Sequence, residues 1–326
     1  MASYKRSSSP FLKIAKKFNC FYINGLPKRH CKPFVVEGHQ VGLVRPDIMV
    51  ELLRYPEVFI VRPDSVELNP AFRDFDERTA RVEQVLQECR ANNTFVTLKG
   101  WRNECYNVHS VLTDPPLLRM DRSATCLFGI RNYGVTVNGF VHDSTRGLCM
   151  WLQRRSPTKE TWPGKWDNMV SGGLSVGYGV IETAIKEAQE EAGIPENMLK
   201  DIRPAGAVSF FFESERGLFP NTEYVFDLKL PSDFIPKNND GEVETFDLLS
   251  INELKEMIAS PDFKTTSSPI VIDFLVRHGV ISPETGGLGR IKEPNYAQLL
   301  ELLHIIGTYH TTLCTSALAG KGNLLE

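Results

Sequence analysis

The sequence lacks several features that mark special classes of protein. Its 326 residues contain no run of 18 apolar residues, so no membrane-spanning helix is expected. The seven cysteines form no CxxC pair, and no histidine cluster has zinc-site spacing, which favours reduced thiols in a reducing compartment. The net charge of −3 gives no bulk attraction to polyanions, so neither nucleic acid nor a membrane is an expected partner.

Acidic residues are also missing from the N-terminal stretch, where the first one is Glu37. Basic, serine-rich and acid-poor composition is typical of a mitochondrial presequence, but presequences favour arginine and this stretch is mostly lysine. Its apolar residues instead predict one face of a short helix in a folded domain: Phe11, Leu12, Ile14, Ala15 and Phe18. We therefore expect a cytoplasmic protein, with mitochondrial import through the basic N-terminus as the alternative.

The length of the chain suits two domains rather than one. The turn signal Asp114-Pro115-Pro116 favours a small α+β domain over residues 1–120 and a second domain over residues 121–326. In the first domain the pattern predicts a helix at residues 79–90. It also predicts short strands at residues 34–36, 41–44, 58–61 and 95–98.

The second domain has a mixed α/β pattern. Strands are predicted at residues 133–142 and 148–153, joined as a hairpin, and again at 205–212, 222–230 and 243–249. A helix at residues 180–192 ends at Gly193, and the capping box that runs from Ser250 to Glu253 begins another. A last helix is expected at residues 297–306. Strands therefore lie on both sides of a central helix.

That central helix carries carboxylates on one face. At about 100° per residue, Glu187, Glu190 and Glu191 fall within one sector of roughly 100°, beside an apolar face that should pack on a sheet. Like charges at this spacing repel by roughly a few tenths of a kcal/mol per pair, and the last helical turn disfavours negative charge. A bound Mg²⁺ would offset both costs. A solvated charged face is the alternative, since Glu-rich helices are common.

Residues 172–194, GGLSVGYGVIETAIKEAQEEAGI, resemble the Nudix box, G-x5-E-x7-R-E-U-x-E-E-x-G-U with U apolar. The positions that match in register are Gly172, Glu187, Ala188, Glu190, Glu191, Gly193 and Ile194. Two positions depart: Tyr178 stands where the motif has its first Glu, and Lys186 where it has Arg. Lys186 keeps the charge but loses the bidentate fork. The resemblance implies a Nudix α/β/α sandwich with a mixed sheet and hydrolysis of a diphosphate bond.

Motifs outside the box resemble one group within this family, the thiamine-pyrophosphokinase-related Nudix proteins of fungi and plants. They are GWRNE at residues 100–104, VNGFV at 137–141, RRSPTK at 154–159 and PGKWDN at 163–168. Members of this group pair a small N-terminal domain with a C-terminal Nudix domain. The resemblance covers roughly residues 10–310. It implies hydrolysis of thiamine-diphosphate-like compounds, particularly oxidised or damaged forms, to the monophosphate.

The resemblance also implies roles for the acidic residues. Glu190 and Glu191 would be ligands of Mg²⁺, or of Mn²⁺, and Glu187 a ligand or the group that orients the attacking water. Family members often add an acid from a later strand or loop, for which Glu242 and Glu244 are candidates. We take Glu244 as the further ligand, with a solvated turn as the alternative.

The expected partner is a small organic diphosphate, bound by a monomer or homodimer. An anionic diphosphate needs cations beyond the metal, so Arg154, Arg155 and Lys159 are candidate phosphate contacts; a solvated strand end is the alternative. The other candidate substrate contacts are Asn168, which could instead cap a loop, Trp166, which could instead pack, and Gly172 and Gly173. A substrate pocket and an interdomain contact both stay open for Trp101, Arg102 and Glu104.

Tyr178 leaves three interpretations: neutral replacement beside sufficient carboxylates, a site reshaped for one substrate, or loss of catalysis in a module that binds a diphosphate ligand. Nucleoside diphosphate derivatives stay open as substrates, since the box does not specify the organic half. An isomerase of the isopentenyl-diphosphate type would need a catalytic Cys, which is not found near the box. Glu182 lies at about 220°, away from the acidic face, and is expected to pair with Lys186.

Overall fold

A computed structural model of the protein describes residues 9–23, 30–174, 176–283, 291–293 and 296–304. Much of the basic stretch considered as a presequence, at residues 1–8 and 24–29, lies outside these ranges, as do Cys314 and the end of the predicted last helix. Within them, no helix combines the length and the apolar character that crossing a bilayer requires.

The N-terminal part begins with two helices, α1 (Pro10–Phe18) and α2 (Cys20–Ile23). The elements that follow are β1 (Lys32–Val36), β2 (His39–Val44), α3 (Pro46–Leu52), β3 (Phe59–Val61), β4 (Val66–Leu68) and α4 (Phe75–Ala91). Their strands form a four-stranded sheet in the order β2-β1-β4-β3. A hairpin of β5 (Cys105–Val108) and β6 (Leu118–Asp121) completes this part. Both strands and helix make it α+β, as predicted.

The strand predicted at residues 95–98 is wrong, because this segment forms a 3₁₀ helix, Val96–Gly100. Its apolar anchors are Phe95 and Leu98, which are both buried in the same cluster. Residues three positions apart point to opposite faces of a strand but to the same side of a 3₁₀ turn, so burying both requires the turn.

The C-terminal part contains the larger sheet. Its elements are β7 (Asn132–Asp143), β8 (Gly147–Arg155), β9 (Trp166–Asn168), β10 (Val170–Gly173), α5 (Val180–Ala192), α6 (Glu196–Leu199), β11 (Arg203–Ser214), β12 (Gly217–Lys229), β13 (Val243–Ser250), α7 (Ile251–Ala259), α8 (Ser268–Arg277), β14 (Ile281–Ser282), β15 (Ile291–Lys292) and α9 (Tyr296–His304). The main strand order is β11-β12-β7-β8-β13, with β10 paired to β7 and β9 to β8. The β12–β7 pair is parallel and its neighbours are antiparallel, so the sheet is mixed.

Helices cover both faces of this sheet. On one face α5 presents Ala184, Ala188 and Ala192, all fully buried, to Val135 and Val137 of β7. These small side chains let the helix lie close to the strands. On the other face, residues of α1, α7, α8 and α9 share one apolar cluster with residues of β7, β8, β11 and β12. The predicted α/β/α sandwich with a mixed sheet is confirmed.

Helix α1 was predicted from its apolar face, and its position shows what that face covers. Ser9 caps the helix through its side-chain oxygen, and Phe18 packs on Phe210 of β11 with ring centroids 6.2 Å apart. The first helix of the chain therefore completes the core of the C-terminal part. We propose that the domain of residues 1–120 is joined to that of residues 121–326 by the packing of α1 as well as by the continuous chain.

Candidate active site

Glu191 is the most deeply buried acid of α5, with 2% of its surface exposed. Its Oε2 accepts a hydrogen bond from the backbone N–H of Ser171 at 2.8 Å and another from the side-chain amide of Gln153 at 3.2 Å. Burial, helped by the charge of Glu187, raises the pKa of Glu191 to about 8, although the Ser171 hydrogen bond lowers it. Strands β8 and β10 thus fix this carboxylate beneath the helix.

Glu187 lies over β10, where a glycine makes room for it. A Cβ atom at Gly172 would overlap the Glu187 carboxylate, so only glycine lets helix and strand approach this closely. Burial raises the pKa of Glu187, as do the charges of Glu190 and Glu242, while Lys186 lowers it. Gly172 is therefore a backbone requirement of the site.

Lys186 is the counterion of the acidic face. Its Nζ lies 2.7 Å from Oε2 of Glu190 and 3.6 Å from Oε1 of Glu187. The predicted pair of Glu182 with Lys186 is wrong, because Glu182 accepts the backbone N–H of Gly179 at 2.9 Å. The third residue of a helix can reach back to the unpaired N–H at the N-cap, and this partner takes Glu182 away from Lys186.

The donor chemistry of this face fits a hard divalent cation. Carboxylate oxygens are the ligands that such ions prefer. Burial raises the pKa of Glu187 and of Glu191, and a bound cation would favour their ionised forms. Among the residues that the structure describes, no three acidic, His or Cys side chains converge closely enough to enclose an ion. Glu190 is turned towards Lys186, and Glu191 towards Ser171.

The two later acids lie on and just before β13. Glu244, predicted as the further ligand, forms an ion pair with Arg154 at 3.3 Å. Glu242 forms one with Lys159, and its charge raises the pKa of both Glu187 and Glu191. Of these two acids, Glu242 is therefore the one whose charge affects the carboxylates of α5.

The three candidate phosphate cations differ in their surroundings. Arg154 is about half exposed, and Lys159 is less so; both face the acids next to β13. Arg155 is buried, where it donates to Oδ2 of Asp167 at 3.2 Å and to the carbonyl oxygen of Thr161. Its guanidinium thus holds the loop between β8 and β9, and only the other two cations border solvent.

Trp166 and Asn168 flank Asp167 on β9. Trp166 is partly buried and packs against the apolar cluster that includes residues of α7 and α8, and its stacking on a substrate stays a prediction. Asn168 is fully buried and donates to Oδ1 of Asn138 at 2.9 Å. Neither side chain is at the surface of the acidic face in this arrangement.

Asp167 itself was not identified from the sequence. It is fully buried and accepts from Lys264 at 2.7 Å, from Ser267 and from Arg155. Burial opposes its ionisation, but these cations outweigh burial and lower the pKa of Asp167. Two of its partners, Lys264 and Ser267, are about a hundred positions away along the chain, a separation at which sequence spacing carries no signal.

A second group missed by sequence reasoning comes from the N-terminal part. The Tyr106 hydroxyl lies against the α-carbon of Gly173, where a Cβ would overlap it. The guanidinium of Arg122 lies 4.8 Å from the Tyr106 ring centroid and donates to both carboxylate oxygens of Glu104 at 2.7 Å. Burial lowers the pKa of Arg122, but its interactions with Tyr106 and Glu104, and to a smaller extent with Glu187, raise it overall. The N-terminal part thus reaches the strand that leads into the acidic helix.

The open question on residues 101–104 is partly answered. Arg102 lies 3.8 Å from Glu160 and donates to the Thr161 hydroxyl at 3.2 Å, both in the loop after β8. Trp101 is buried and donates to Asn103. Arg102 therefore contacts the C-terminal part directly, whereas Glu104 accepts hydrogen bonds from Arg122.

Comparison with known proteins agrees with this architecture. A family model described as the NUDIX domain matches residues 132–269, and one described as a domain of unknown function, DUF4743, matches residues 10–132. Nudix hydrolase 20, chloroplastic, of Arabidopsis thaliana is 34% identical over 265 residues, covering 78% of this chain and 70% of that protein. The chain belongs to the Nudix hydrolase family.

Two further relatives of this Nudix protein are similar over the same extent. Nudix hydrolase 24, chloroplastic, of Arabidopsis thaliana is 34% identical over 258 residues, covering 78% of this chain and 70% of that protein. Uncharacterized protein YJR142W of Saccharomyces cerevisiae is 35% identical over 263 residues, covering 77% of this chain and 74% of that one. The similarity thus includes both the N-terminal domain and the Nudix domain.

The two residues of this Nudix protein that depart from the box contact each other. Tyr178, in place of the motif's first Glu, is 48% exposed, and the Nζ of Lys186 lies 5.8 Å from its ring centroid. At this distance a cation is attracted by the face of the ring. Tyr178 and Lys186 therefore form one contact beside Glu187 and Glu190.

Glu223 of β12 is a further acid that sequence reasoning missed. Its carboxylate lies against Gly134 of β7 and has no hydrogen-bond partner within the described part of the chain. Burial raises the pKa of Glu223 to about 7. The absence of a side chain at Gly134 leaves the space that it fills.

Proposed function

We propose that this Nudix protein hydrolyses the diphosphate bond of thiamine-diphosphate-like compounds, oxidised or damaged forms among them, to the monophosphate. The observation that supports diphosphate hydrolysis is the acidic face of α5, where Glu187 and Glu191 are held against β10 with raised pKa values. The thiamine group is supported by the motifs at residues 100–104, 137–141, 154–159 and 163–168.

The residues of the chain have distinct roles in this proposal. Glu187, Glu190 and Glu191 would hold Mg²⁺ or Mn²⁺, with Glu242 or Glu244 as the further acid. The ion would neutralise charge that develops on the diphosphate. Glu187 would serve either as one of these ligands or as the group that accepts a hydrogen bond from the attacking water and orients it. Lys159 and Arg154 border the same face and attract the anionic substrate.

The proposal also includes the oligomeric state, the kind of substrate and the compartment. We expect a monomer or homodimer acting on a small organic diphosphate in the cytoplasm, with mitochondrial import as the alternative. The names of two plant relatives place those relatives in the chloroplast.

The test is product formation by the purified chain with Mg²⁺, followed by phosphorus NMR. The substrates are thiamine diphosphate, its oxidised analogues, ADP-ribose and nucleotide sugars. We expect conversion of thiamine compounds to monophosphates with kcat/KM at least about tenfold above the nucleotides, or about 1.4 kcal/mol of discrimination. Turnover of nucleotides alone would retain the hydrolase and reject the thiamine substrates.

A second candidate function is a binding module that senses a diphosphate without cleaving it. The ion pair of Lys186 with Glu190 favours it, because this pair occupies a carboxylate that metal binding would need. In that case the same substrates would raise the melting temperature of the protein without forming product. Any Mg²⁺-dependent turnover would reject it.

A further inference from the structure

A cleft of about 310 Å³ lies between the N-terminal domain and the lead-in to the acidic helix. Tyr106 and Asn107 of β5 line it from one side, and Asn132 and Tyr133 of β7 from another. Tyr178 lines it from the segment before α5. Both parts of the chain therefore build its walls, and its volume suits a small organic ring system.

Aromatic rings dominate the walls of this cleft. Tyr106 is buried with Arg122 packed against its ring, and Tyr133 stacks on Tyr224 with centroids 6.3 Å apart. Tyr178 is the exposed one of the three that line the cleft. Two rings fixed by their neighbours and one free ring form a surface on which a flat heterocycle can stack.

Two hydrogen-bond acceptors in the walls have no donor in the part of the chain that the structure describes. The side-chain oxygens of Asn107 and Asn132 are buried and lack a hydrogen-bond partner among the described residues. Asn132 donates its amide nitrogen to Thr125 at 3.1 Å, which orients the oxygen away from that contact. A buried acceptor without a donor costs free energy, so these positions favour a ligand that supplies N–H groups.

The cleft adjoins the acidic face through two cations that pack against its tyrosines. Tyr178 contacts Lys186, which pairs with Glu190, and Tyr106 contacts Arg122, whose charge interacts with Glu187. A ring bound between the tyrosines would therefore have its phosphorylated end directed at cations beside the carboxylates.

We propose that this interdomain cleft binds the organic half of the substrate, a nitrogen heteroaromatic ring that bears N–H donors. The inference rests on the proposed diphosphate hydrolysis and adds the recognition of the ring. It assigns the N-terminal domain a part in substrate binding through Tyr106 and Asn107, and it makes Tyr178 a residue that determines specificity in place of a motif carboxylate.

The test is titration calorimetry of the full chain with thiamine monophosphate, adenosine monophosphate and inorganic diphosphate. The variants are Asn107→Ala and Tyr178→Ala. The matched control is Asn221→Ala, whose oxygen is also buried without a partner in the described structure but does not line the cleft. We expect the Kd of thiamine monophosphate to rise about tenfold in each cleft variant and to stay unchanged in the control. The Kd of inorganic diphosphate should not change in Asn107→Ala or in Asn221→Ala.

The outcomes separate this inference from the proposed function. If adenosine monophosphate instead shows the expected pattern, the cleft is retained and the thiamine substrate is rejected. If ring binding depends on the cleft but no diphosphate is hydrolysed, only the hydrolase is rejected. The cleft proposal is overturned if neither ring compound binds the wild type, if the cleft variants bind them equally well, or if Asn221→Ala loses as much affinity.

Discussion

At the scale of single residues, the site is built from carboxylates that burial places at a disadvantage. Glu191 lies under α5 with two hydrogen bonds, and Glu223 lies on β12 with none in the described structure. The pKa values of both are raised, to about 8 and about 7. Ionised carboxyl groups lose solvation when buried, so each is poised to accept a proton or a cation.

Replacing Glu223 with Gln should remove a pH dependence of stability. The folded-state pKa of about 7 lies above the ordinary value of 4.5, so the folded state binds this proton more tightly than the unfolded state. The stabilisation from protonation is present below about pH 4.5 and is lost as pH rises through 7. Relative to Glu223→Gln, the wild type should lose on the order of 1 kcal/mol between pH 5 and pH 8 in urea unfolding.

The control for this experiment is Glu256→Gln on the exposed side of α7. Its stability relative to the wild type should be the same at both pH values. An equal pH dependence in wild type and Glu223→Gln would show that Glu223 is not held in the environment described.

At the scale of elements, the close approach of β10 to its neighbours depends on two glycines. Gly172 faces Glu187 of α5, and Gly173 faces Tyr106 of β5. Neighbouring residues of a strand point to opposite sides, so one short strand contacts the acidic helix on one side and the N-terminal domain on the other. The first glycines of the box therefore have separate structural tasks.

The substitution Gly173→Ala should disturb the N-terminal side of this contact. The new methyl group would overlap the hydroxyl of Tyr106, which is buried, and would lie 3.2 Å from Nη2 of Arg122. We expect a loss of about 1–3 kcal/mol of stability by thermal unfolding, together with a raised KM for diphosphate substrates. Gly100→Ala is the control, since its methyl group would meet no atom within 3.8 Å. Equal stability of Gly173→Ala and wild type would contradict this packing.

The helix α5 shows what the sequence can predict at this scale. Its bounds, residues 180–192, followed from the apolar period and from Gly193, which adopts the left-handed conformation with φ 61°. Helix α8 was not predicted, because it is buried on nearly all sides and its apolar run has no helical period to detect. Local sequence patterns thus predict elements that have one solvent-exposed face and one buried face.

The position of each site residue was less predictable than the helix that carries it. The helical wheel grouped Glu187, Glu190 and Glu191, but their partners come from other elements. Arg155 was expected at a phosphate, and the structure instead places it with Asp167. Which cation meets which anion depends on the tertiary fold, since pairs such as Lys264 with Asp167 and Lys159 with Glu242 lie far apart along the chain.

At the scale of the whole molecule, the two domains depend on each other. Helix α1 packs into the core of the Nudix domain, while Tyr106 and Arg122 reach the strand before the acidic helix. The sequence indicated two domains and left open whether residues 101–104 formed a pocket or a contact. The contacts between the domains involve side chains too far apart in sequence for any pattern to join them. The site is therefore a property of the full chain.

The central claim is that the acidic face of α5 catalyses hydrolysis of a diphosphate. It is tested most directly by the rate of monophosphate formation from thiamine diphosphate and its oxidised analogues with Mg²⁺ in two matched variants, Glu190→Gln and Glu182→Gln. Both change a Glu of the same helix, but Glu190 lies on the acidic face and Glu182 caps the opposite end. We predict that Glu190→Gln lowers kcat/KM about a hundredfold or more and that Glu182→Gln stays within about twofold of wild type. Unchanged turnover in Glu190→Gln, or an equal loss in both variants, would contradict the claim.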